Sequence, residues 1–244
     1  MRFFARLSYK GTAYHGWQIQ PNGISVQEVL EKAFSTILQT KTAITGAGRT
    51  DAGVHARNYI AHFEMDNKTF SNDLPLFIYK INSFLPKDIV IHDVYKVESD
   101  SHARFDAKSR TYNYYISHQK NPFRNDTAWL RLGSLDIDLM NKACEILKTT
   151  TDFTSFAKLH TDNKTNICNL MQAHWQQTDE LIIFEIKADR FLRNMVRAIV
   201  GTMVDIGRHK ITLDDFKEII KSKNRNNAGV SAPAKGLFLE AIYY

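Results

Sequence analysis

The residues with the clearest chemical potential lie in one glycine-rich segment, residues 46–57. It reads GAGRTDAGVHAR, with three glycines, two arginines, one aspartate and one histidine. Arg49 and Asp51 are two positions apart and have glycines on either side, so a ligand could approach a carboxylate that already lies beside a cation. A guanidinium near Asp51 would keep this carboxylate ionised, as a nucleophile requires.

The spacing within the segment argues against several other kinds of site. A dinucleotide-binding loop needs G-x-G-x-x-G, but Asp51 takes the third glycine position, and the Gly-Lys-Ser/Thr of a Walker loop is absent. A paired-acid hydrolase would need its second carboxylate from elsewhere in the chain. No H-E-x-x-H pattern is present, and we expect no metal site. A tight surface turn capped by Asp51 remains the structural alternative.

The elements that must position this segment alternate between strands and helices. Residues 3–9 alternate as a strand and lead into a polar turn region. Ser25 lies three residues before Glu28 in a capping-box pattern, and apolar residues then recur at helical spacing as far as Leu38. The patterns further predict strands at 59–64 and 89–97 and a helix at 73–85.

The second half of the chain repeats this mixture. It predicts strands at 111–117, 169–176 and 181–188, helices at 139–148, 191–206 and 213–222, and a closing strand. We therefore predict an α+β fold of two similar subdomains, with largely antiparallel sheets joined into one extended sheet and helices on one face. The expected division is 1–104, carrying the aspartate loop, and 105–244, with the active-site cleft between the halves.

Composition excludes several classes of protein. The 244 residues are 43% hydrophobic and 11% aromatic, which excludes a disordered chain. Cys144 and Cys168 are the only cysteines, so a disulfide framework and a cysteine zinc site are excluded, and a cytoplasmic location is expected. No signal peptide is recognisable, and no window approaches the roughly 18 apolar residues of a membrane span. The net charge of +6 is compatible with a nucleic-acid partner without requiring one.

The chain resembles the bacterial tRNA pseudouridine synthase A family, whose signature is the loop Gly-Arg-Thr-Asp-Ala-Gly-Val-His, here residues 48–55. Other segments similar to the family follow in order along nearly the whole chain: YKGT at 9–12, GWQ at 16–18, SVQ at 25–27, LE at 30–31, LPKDI at 85–89, HARF at 102–105, RTY at 110–112, FTSF at 153–156, FLRNMVR at 191–197 and APAKGL at 232–237.

The resemblance implies a function and a set of site residues. The family converts uridine to pseudouridine in the tRNA anticodon stem-loop at positions 38, 39 and 40, without a cofactor. Asp51 would be the catalytic nucleophile, Tyr112 would contact the target base, and Arg197 would pair with Asp51. Arg49 and Leu237 would complete the substrate-binding residues. A homodimer that places one tRNA across both subunits is expected, with no membrane partner.

Arginines in or near the matched segments predict contacts with the RNA backbone. Apolar residues of the helix predicted at 191–206 share one side, and Arg190, Arg193 and Arg197 lie on the other. A solvated basic face is the alternative for these three residues. The candidates for backbone contacts are Arg57, Arg104, Arg110, Arg190 and Arg193.

The sequence is compatible with more than one role for its tyrosines, for Asp51 and for the chain itself. Tyr112 and Tyr114 share one face of a predicted strand, where a tyrosine can equally belong to the core. The chain could be an RNA-binding or RNA-chaperone module without turnover, or a hydrolase that releases the base to water. Asp51 could attack the sugar, add to the base or remove a ribose proton.

The chain departs from the family at two places. Asn58-Tyr59 stands where many members have a Gly-Gln pair, and Cys168 stands where an arginine is common. These departures question local RNA contacts.

Overall fold

The computed structural model describes residues 1–65, 73–158 and 164–244. These residues form five α-helices and nine strands, and the sheet is mostly antiparallel. The mixed α/β class predicted from the sequence is therefore confirmed. The contacts divide the chain into two compact units, unit 1 comprising Met1–Lys108 with Leu239–Tyr244 and unit 2 comprising Ser109–Phe238. The division at 104/105 stays a prediction.

Unit 1 is an antiparallel sheet with two helices. Its strands lie in the order β4-β1-β3-β9, and β2 also pairs with β3. The elements are β1 (Arg2–Tyr9), α1 (Val26–Leu38), β2 (Ile44–Gly46), β3 (His55–Glu64), α2 (Leu74–Phe84), β4 (Ile89–Val97) and most of β9 (Leu237–Tyr243).

Aromatic side chains pack the helices of unit 1 against its sheet. Phe3 and Phe63 face each other across β1 and β3, and their rings stack at 5.8 Å. Phe34 of α1 meets Phe63 edge-on at 4.8 Å and Phe77 of α2 at 5.7 Å. The alternation in β1 places its odd-numbered apolar residues on this helix-covered face. The core of unit 1 thus holds β3, the strand that follows the aspartate loop.

Unit 2 has the same plan of antiparallel strands and packed helices. Its strand order is β5-β8-β7, and the short β6 runs parallel to β5. The Asn141 side chain of α3 bonds both backbone groups of Trp175 in β7, at 3.0 and 2.8 Å. The elements are β5 (Ser109–Ser117), β6 (Trp129–Leu130), α3 (Ile137–Lys148), β7 (Leu170–Gln177), β8 (Leu181–Ala188), α4 (Met195–Gly207) and α5 (Leu213–Ser222).

The helix predicted at 191–206 begins later than its apolar pattern indicates. Helix α4 starts at Met195 because Asn194 has a φ of +66°, in the left-handed region that cannot continue a right-handed helix. Arg190 and Arg193 therefore precede α4, and the prediction that they share a helix face with Arg197 was wrong. Among the described residues, no helix has the length and apolar character needed to span a membrane.

Candidate active site

Asp51 lies in the loop that joins β2 to β3, two strands that pair with each other. The Val54 N–H donates to the Asp51 carbonyl at 3.1 Å and closes a turn. Gly53 has a φ of +78° within this turn, which a residue with a side chain rarely adopts. The Asp51 side chain is half-buried. The strand pair and the turn together fix the backbone at Asp51.

The segment between β1 and α1 supports this loop from the other side. The Trp17 N–H donates to the Thr50 carbonyl at 3.3 Å, and the Gly53 N–H donates to the Tyr14 carbonyl at 3.3 Å. The approach of the two backbones requires glycine, since a Cβ on Gly16 would lie 2.3 Å from the Thr50 oxygen. The N-terminal motifs and the aspartate loop therefore form one packed structure rather than separate sites.

Tyr59, one half of the Asn58-Tyr59 departure, belongs to this support. Its side chain is fully buried and stacks on Trp17 with ring centroids 4.1 Å apart. Its hydroxyl donates to the Gly48 carbonyl and accepts from the Gly48 N–H at 3.2 Å. The sequence raised a question about RNA contacts at this position, but the ring lies inside unit 1 and braces the residue before Arg49.

The other departures are also structural. Asn58 is exposed, and its amide donates to the Glu240 carbonyl at 2.9 Å, within unit 1. Cys168 is buried, and its N–H donates to the Thr151 carbonyl at 3.0 Å. Burial raises the pKa of the Cys168 thiol to about 11. A buried neutral thiol offers no charge to RNA, so Cys168 cannot make the contact that an arginine at this position could make.

Buried histidines serve the backbone around the site. His55, the last residue of the signature loop, accepts the Gly11 N–H on Nδ1 at 3.0 Å. His62 of β3 accepts the Ala103 N–H on Nδ1 at 3.2 Å. Burial, with the charges of His102 and Arg2 adding to it, lowers the pKa of His62 to about 4. Both rings hold loops of unit 1 against β3.

Tyr112 lies on β5 of unit 2, opposite Ile186 of β8. Its ring is half-buried and meets Phe191 edge-on at 5.1 Å. Phe191 belongs to the segment that leads into α4. Tyr114, on the same side of the strand, is fully buried and donates its hydroxyl to the Pro233 carbonyl at 2.7 Å. Of the two tyrosines, Tyr112 is the one that keeps a surface for a ligand.

Arg197 lies in the first turn of α4 and is fixed by the segment 232–237. Its Nε donates to the Ala232 carbonyl at 2.7 Å, and the Ala232 N–H donates back to the Arg197 carbonyl at 2.9 Å. Burial raises the pKa of Tyr114, and the charge of Arg197 opposes that shift. Carbonyl groups of neighbouring residues thus hold Arg197 and Tyr114 together. The sequence did not indicate this orienting role of Ala232.

The remaining site candidates have varied surroundings. Arg49 is exposed, and Leu237 is buried at the start of β9. Further contacts are Arg57 Nη1 with Glu240 Oε1 at 3.7 Å, Arg104 over the Phe105 ring at 5.5 Å, Arg110 Nη1 with the Asp189 carbonyl at 3.0 Å, the Arg190 N–H with Asp189 Oδ1 at 2.7 Å, and the Arg193 carbonyl with the Lys158 N–H at 3.0 Å.

The candidates divide between the two units. Unit 1 holds Asp51 with Arg49, Arg57 and Arg104; unit 2 holds Tyr112, Arg197 and Leu237 with Arg110, Arg190 and Arg193. Each group is assembled on its own scaffold. The pairing of Asp51 with Arg197 stays a prediction from the resemblance.

Comparison with known proteins agrees with the resemblance. A family model described as tRNA pseudouridine synthase matches residues 5–106 and 143–244. The chain is 52% identical to tRNA pseudouridine synthase A of Bacteroides fragilis and 48% identical to that of Parabacteroides distasonis, covering 100% of this chain and 96% of each relative. It is 37% identical to the protein of the same name from Geobacter sp., over 98% of this chain and 96% of the relative. The chain therefore belongs to the bacterial tRNA pseudouridine synthase A family, a family of isomerases.

Proposed function

We propose that this chain isomerises uridine to pseudouridine in the anticodon stem-loop of tRNA, at positions 38, 39 and 40, with Asp51 as the catalytic nucleophile. The observation that carries the proposal is the loop of Asp51, a half-buried carboxylate held by β2 and β3 on one side and by residues 14–17 on the other. Such fixation positions a reacting group before the substrate arrives. Membership of the family supplies the substrate class.

The reaction needs few groups because it is an isomerisation. The bond between the uracil N1 and the ribose C1′ breaks, the uracil turns, and a bond from its C5 to C1′ forms. The C5 proton is lost to solvent and N1 gains a proton, so no electrons are exchanged with a cofactor. Asp51 supplies the carboxylate next to the reacting sugar and base. The surrounding pocket must retain the detached uracil and exclude competing water.

The target uridine must leave the RNA stem before it can react. Extrusion of a base from a stacked helix has an unfavourable free energy of a few kcal/mol, which stacking and backbone contacts offset. Tyr112 provides a half-buried ring, and its edge contact with Phe191 fixes the ring's orientation. Arg197, held by Ala232, is proposed to pair with Asp51. Arg49 and Leu237 are proposed to line the same pocket.

The direct test is tritium release from tRNA labelled at uracil C5. We expect Asp51→Asn to lower the single-turnover rate by at least about 1,000-fold, since the variant lacks the reacting carboxylate. Asp100→Asn, which changes an exposed carboxylate of the same unit, is the matched control and should release tritium at the wild-type rate. Full activity of Asp51→Asn would overturn the assignment of the nucleophile.

The same assay separates this proposal from two competing functions. Binding of tRNA by the wild-type chain without any tritium release would favour an RNA-binding module of the same fold. Free uracil among the products would favour a hydrolase that loses the base to water. Pseudouridine at positions 38, 39 or 40, located by chemical mapping of the modified tRNA, is the result that the proposal requires.

We also propose, from the family resemblance, that the chain acts as a homodimer in the cytoplasm. Two copies would place one tRNA across both subunits. Sedimentation at micromolar concentration should give a species of twice the chain mass of 28.1 kDa. A single species at the chain mass would remove the dimer from the proposal and leave the chemistry of Asp51 untouched.

A further inference from the structure

Unit 2 has a surface groove of about 650 Å³ that none of the site residues above lines. Two cations, Lys158 and Arg225, contribute to its wall, together with Asn194, Asn226 and the segment 228–231. Among the described residues that line it there is no carboxylate. A groove with this charge pattern is suited to an anionic group.

Arg225 is the groove cation whose surroundings most favour the binding of an anion. Its guanidinium is half-buried and donates to the Ser231 hydroxyl at 2.8 Å and to the Ala228 carbonyl at 3.4 Å. Within the described part of the chain, it forms no ion pair with a carboxylate. Because its charge is partly removed from water, burial lowers the pKa of Arg225. A cation in this position is stabilised when an anion binds beside it.

Hydrogen bonds and close packing hold the wall of the groove in place. Asn194 holds its left-handed φ of +66° at the start of α4, and its amide donates to the Ser231 hydroxyl at 2.7 Å. The segment 228–231 packs directly on α4. This approach requires glycine at position 201, because a Cβ there would lie 1.8 Å from the Val230 oxygen. The Gly229 N–H also donates to the Thr202 hydroxyl at 2.9 Å. A preformed site loses little entropy when its ligand binds.

The groove also offers an apolar surface beside its cations. Val230 lines the groove, and 88% of its surface is exposed. A free phosphate gains no affinity from an apolar contact, whereas the ribose next to a nucleotide's phosphate can pack against Val230. Ala232, which follows the groove residue Ser231 in the chain, holds Arg197, so the groove lies one residue from the support of a proposed active-site residue.

We propose that this groove binds a phosphodiester of the tRNA backbone, with Arg225 and Lys158 contacting the phosphate and Val230 the adjoining ribose. The proposal rests on the proposed function for the identity of the RNA. It assigns the contact to a nucleotide other than the uridine that reacts, since the groove is lined by none of the residues assigned to the target base.

The sharpest test uses two opposite charges at one exposed position. Val230→Lys and Val230→Asp remove the same side chain, and because it is exposed, both variants should fold as the wild type does. We expect Val230→Asp to weaken tRNA binding by about tenfold and Val230→Lys to strengthen it by a few fold, measured by filter binding between about 50 and 200 mM salt. Equal effects of the two substitutions would overturn an electrostatic role for the groove.

Neutralisation of the cations gives a second readout. Lys158→Gln and Arg225→Gln should each reduce the slope of log Kd against log salt by about 0.7 to 0.9, the value for one lost phosphate contact. A loss of folding alone would lower the active fraction without changing this slope. Lys142→Gln, an exposed lysine of unit 2 outside the groove, is the matched control and should keep the wild-type slope.

Two further outcomes separate the groove from the proposed function. If the wild type releases tritium but all the groove variants bind tRNA with its Kd and slope, the groove proposal fails and the function stands. If inorganic phosphate raises the Tm of the wild type but not of Arg225→Gln, while tRNA affinity is the same in both, the ligand is a small phosphate and the RNA assignment is overturned. If the wild type releases no tritium, the proposed function fails, and the salt slopes still decide whether the groove binds RNA.

Discussion

The hydroxyl of Tyr59 supports the backbone of the candidate active site. It makes two hydrogen bonds with the backbone of Gly48, next to Arg49. Tyr59→Phe keeps the stacking on Trp17 but leaves both Gly48 groups without this partner. We expect the free energy of unfolding to fall by about 1 to 3 kcal/mol, measured by urea denaturation. The single-turnover rate of tritium release should fall by about tenfold, because the loop of Asp51 is less well fixed.

The control for this substitution is Tyr79→Phe, since Tyr79 is 69% exposed on α2. Tyr79→Phe also removes a tyrosine hydroxyl from unit 1, but it leaves the loop of Asp51 unchanged. A Tyr59→Phe variant as active as Tyr79→Phe would show that the Gly48 contacts contribute to stability alone.

His62 predicts a dependence of stability on pH. Its pKa is about 4 in the folded chain, against 6.5 for an exposed histidine. Between these values the unfolded chain binds more protons, so stability is full above about pH 6.5 and is lost as the pH falls towards 4. Protonation of Nδ1 would also remove the acceptor of the Ala103 N–H. We expect a loss on the order of 1 kcal/mol between about pH 7 and pH 5, or a few degrees in Tm.

His62→Asn tests this origin, because the asparagine oxygen can accept the Ala103 N–H but does not titrate. The change in Tm between about pH 7 and pH 5 should be smaller in the variant than in the wild type by a few degrees. An identical pH dependence in both proteins would assign the acid sensitivity to other groups.

At this scale the sequence identifies reacting residue types better than their supports. The neighbours Arg49 and Gly53 make Asp51 a candidate nucleophile, because their residue types have a recognisable chemical purpose. Tyr59 was noted only as a departure, since a tyrosine on an alternating strand can face either the core or a ligand. Its contact with Gly48 depends on the fold of residues 9–17 and could not be predicted from spacing.

At the scale of the elements, periodicity located most strands and helices well and two of their starts badly. The strand predicted at 59–64 begins four residues earlier, at His55. The helix predicted at 213–222 and the strands at 89–97 and 181–188 have the bounds that the structure shows. Helix α4 begins four residues after the predicted start at Phe191, because apolar spacing carries no information on the backbone angle of Asn194. As a result, Arg190 and Arg193 precede the helix that carries Arg197.

The conformation of Asn194 can be tested by two small substitutions. Asn194→Gly and Asn194→Ala both remove the bond to the Ser231 hydroxyl, but only alanine is strained at a φ of +66°. We expect the alanine variant to be less stable than the glycine variant by about 1 to 2 kcal/mol in urea denaturation. Equal stability of the two variants would mean that the start of α4 relaxes to a different backbone conformation.

At the scale of the whole molecule, the C-terminal strand returns to unit 1. The sequence predicted two halves in chain order, and local patterns cannot show that a final strand returns to the first unit. The Lys108 N–H donates to the Tyr243 carbonyl at 2.8 Å, and the Tyr244 hydroxyl donates to the Ala103 carbonyl at 2.6 Å. Strand β9 is the neighbour of β3 in the sheet order. The terminal strand is therefore part of the scaffold of Asp51.

Removal of residues 239–244 should consequently affect both stability and chemistry. Leu239 is 2% exposed, and its loss with the pairing of β9 leaves an open edge on β3, the strand that begins directly after the aspartate loop. We expect the truncated chain to lose at least about 3 kcal/mol of unfolding free energy and most of its tritium release.

Leu239→Ala keeps the strand and should lose about 2 to 5 kcal/mol by leaving a cavity. Tyr244→Phe removes only the terminal hydroxyl and should lose about 1 kcal/mol. The truncation removes Leu239 together with the pairing of β9, so its loss should exceed that of Leu239→Ala. Urea midpoints that fall in the order Tyr244→Phe, Leu239→Ala, truncation would show that burial and strand pairing by β9 both stabilise unit 1. A truncated chain with the midpoint and turnover of the wild type would mean that β3 positions Asp51 without β9.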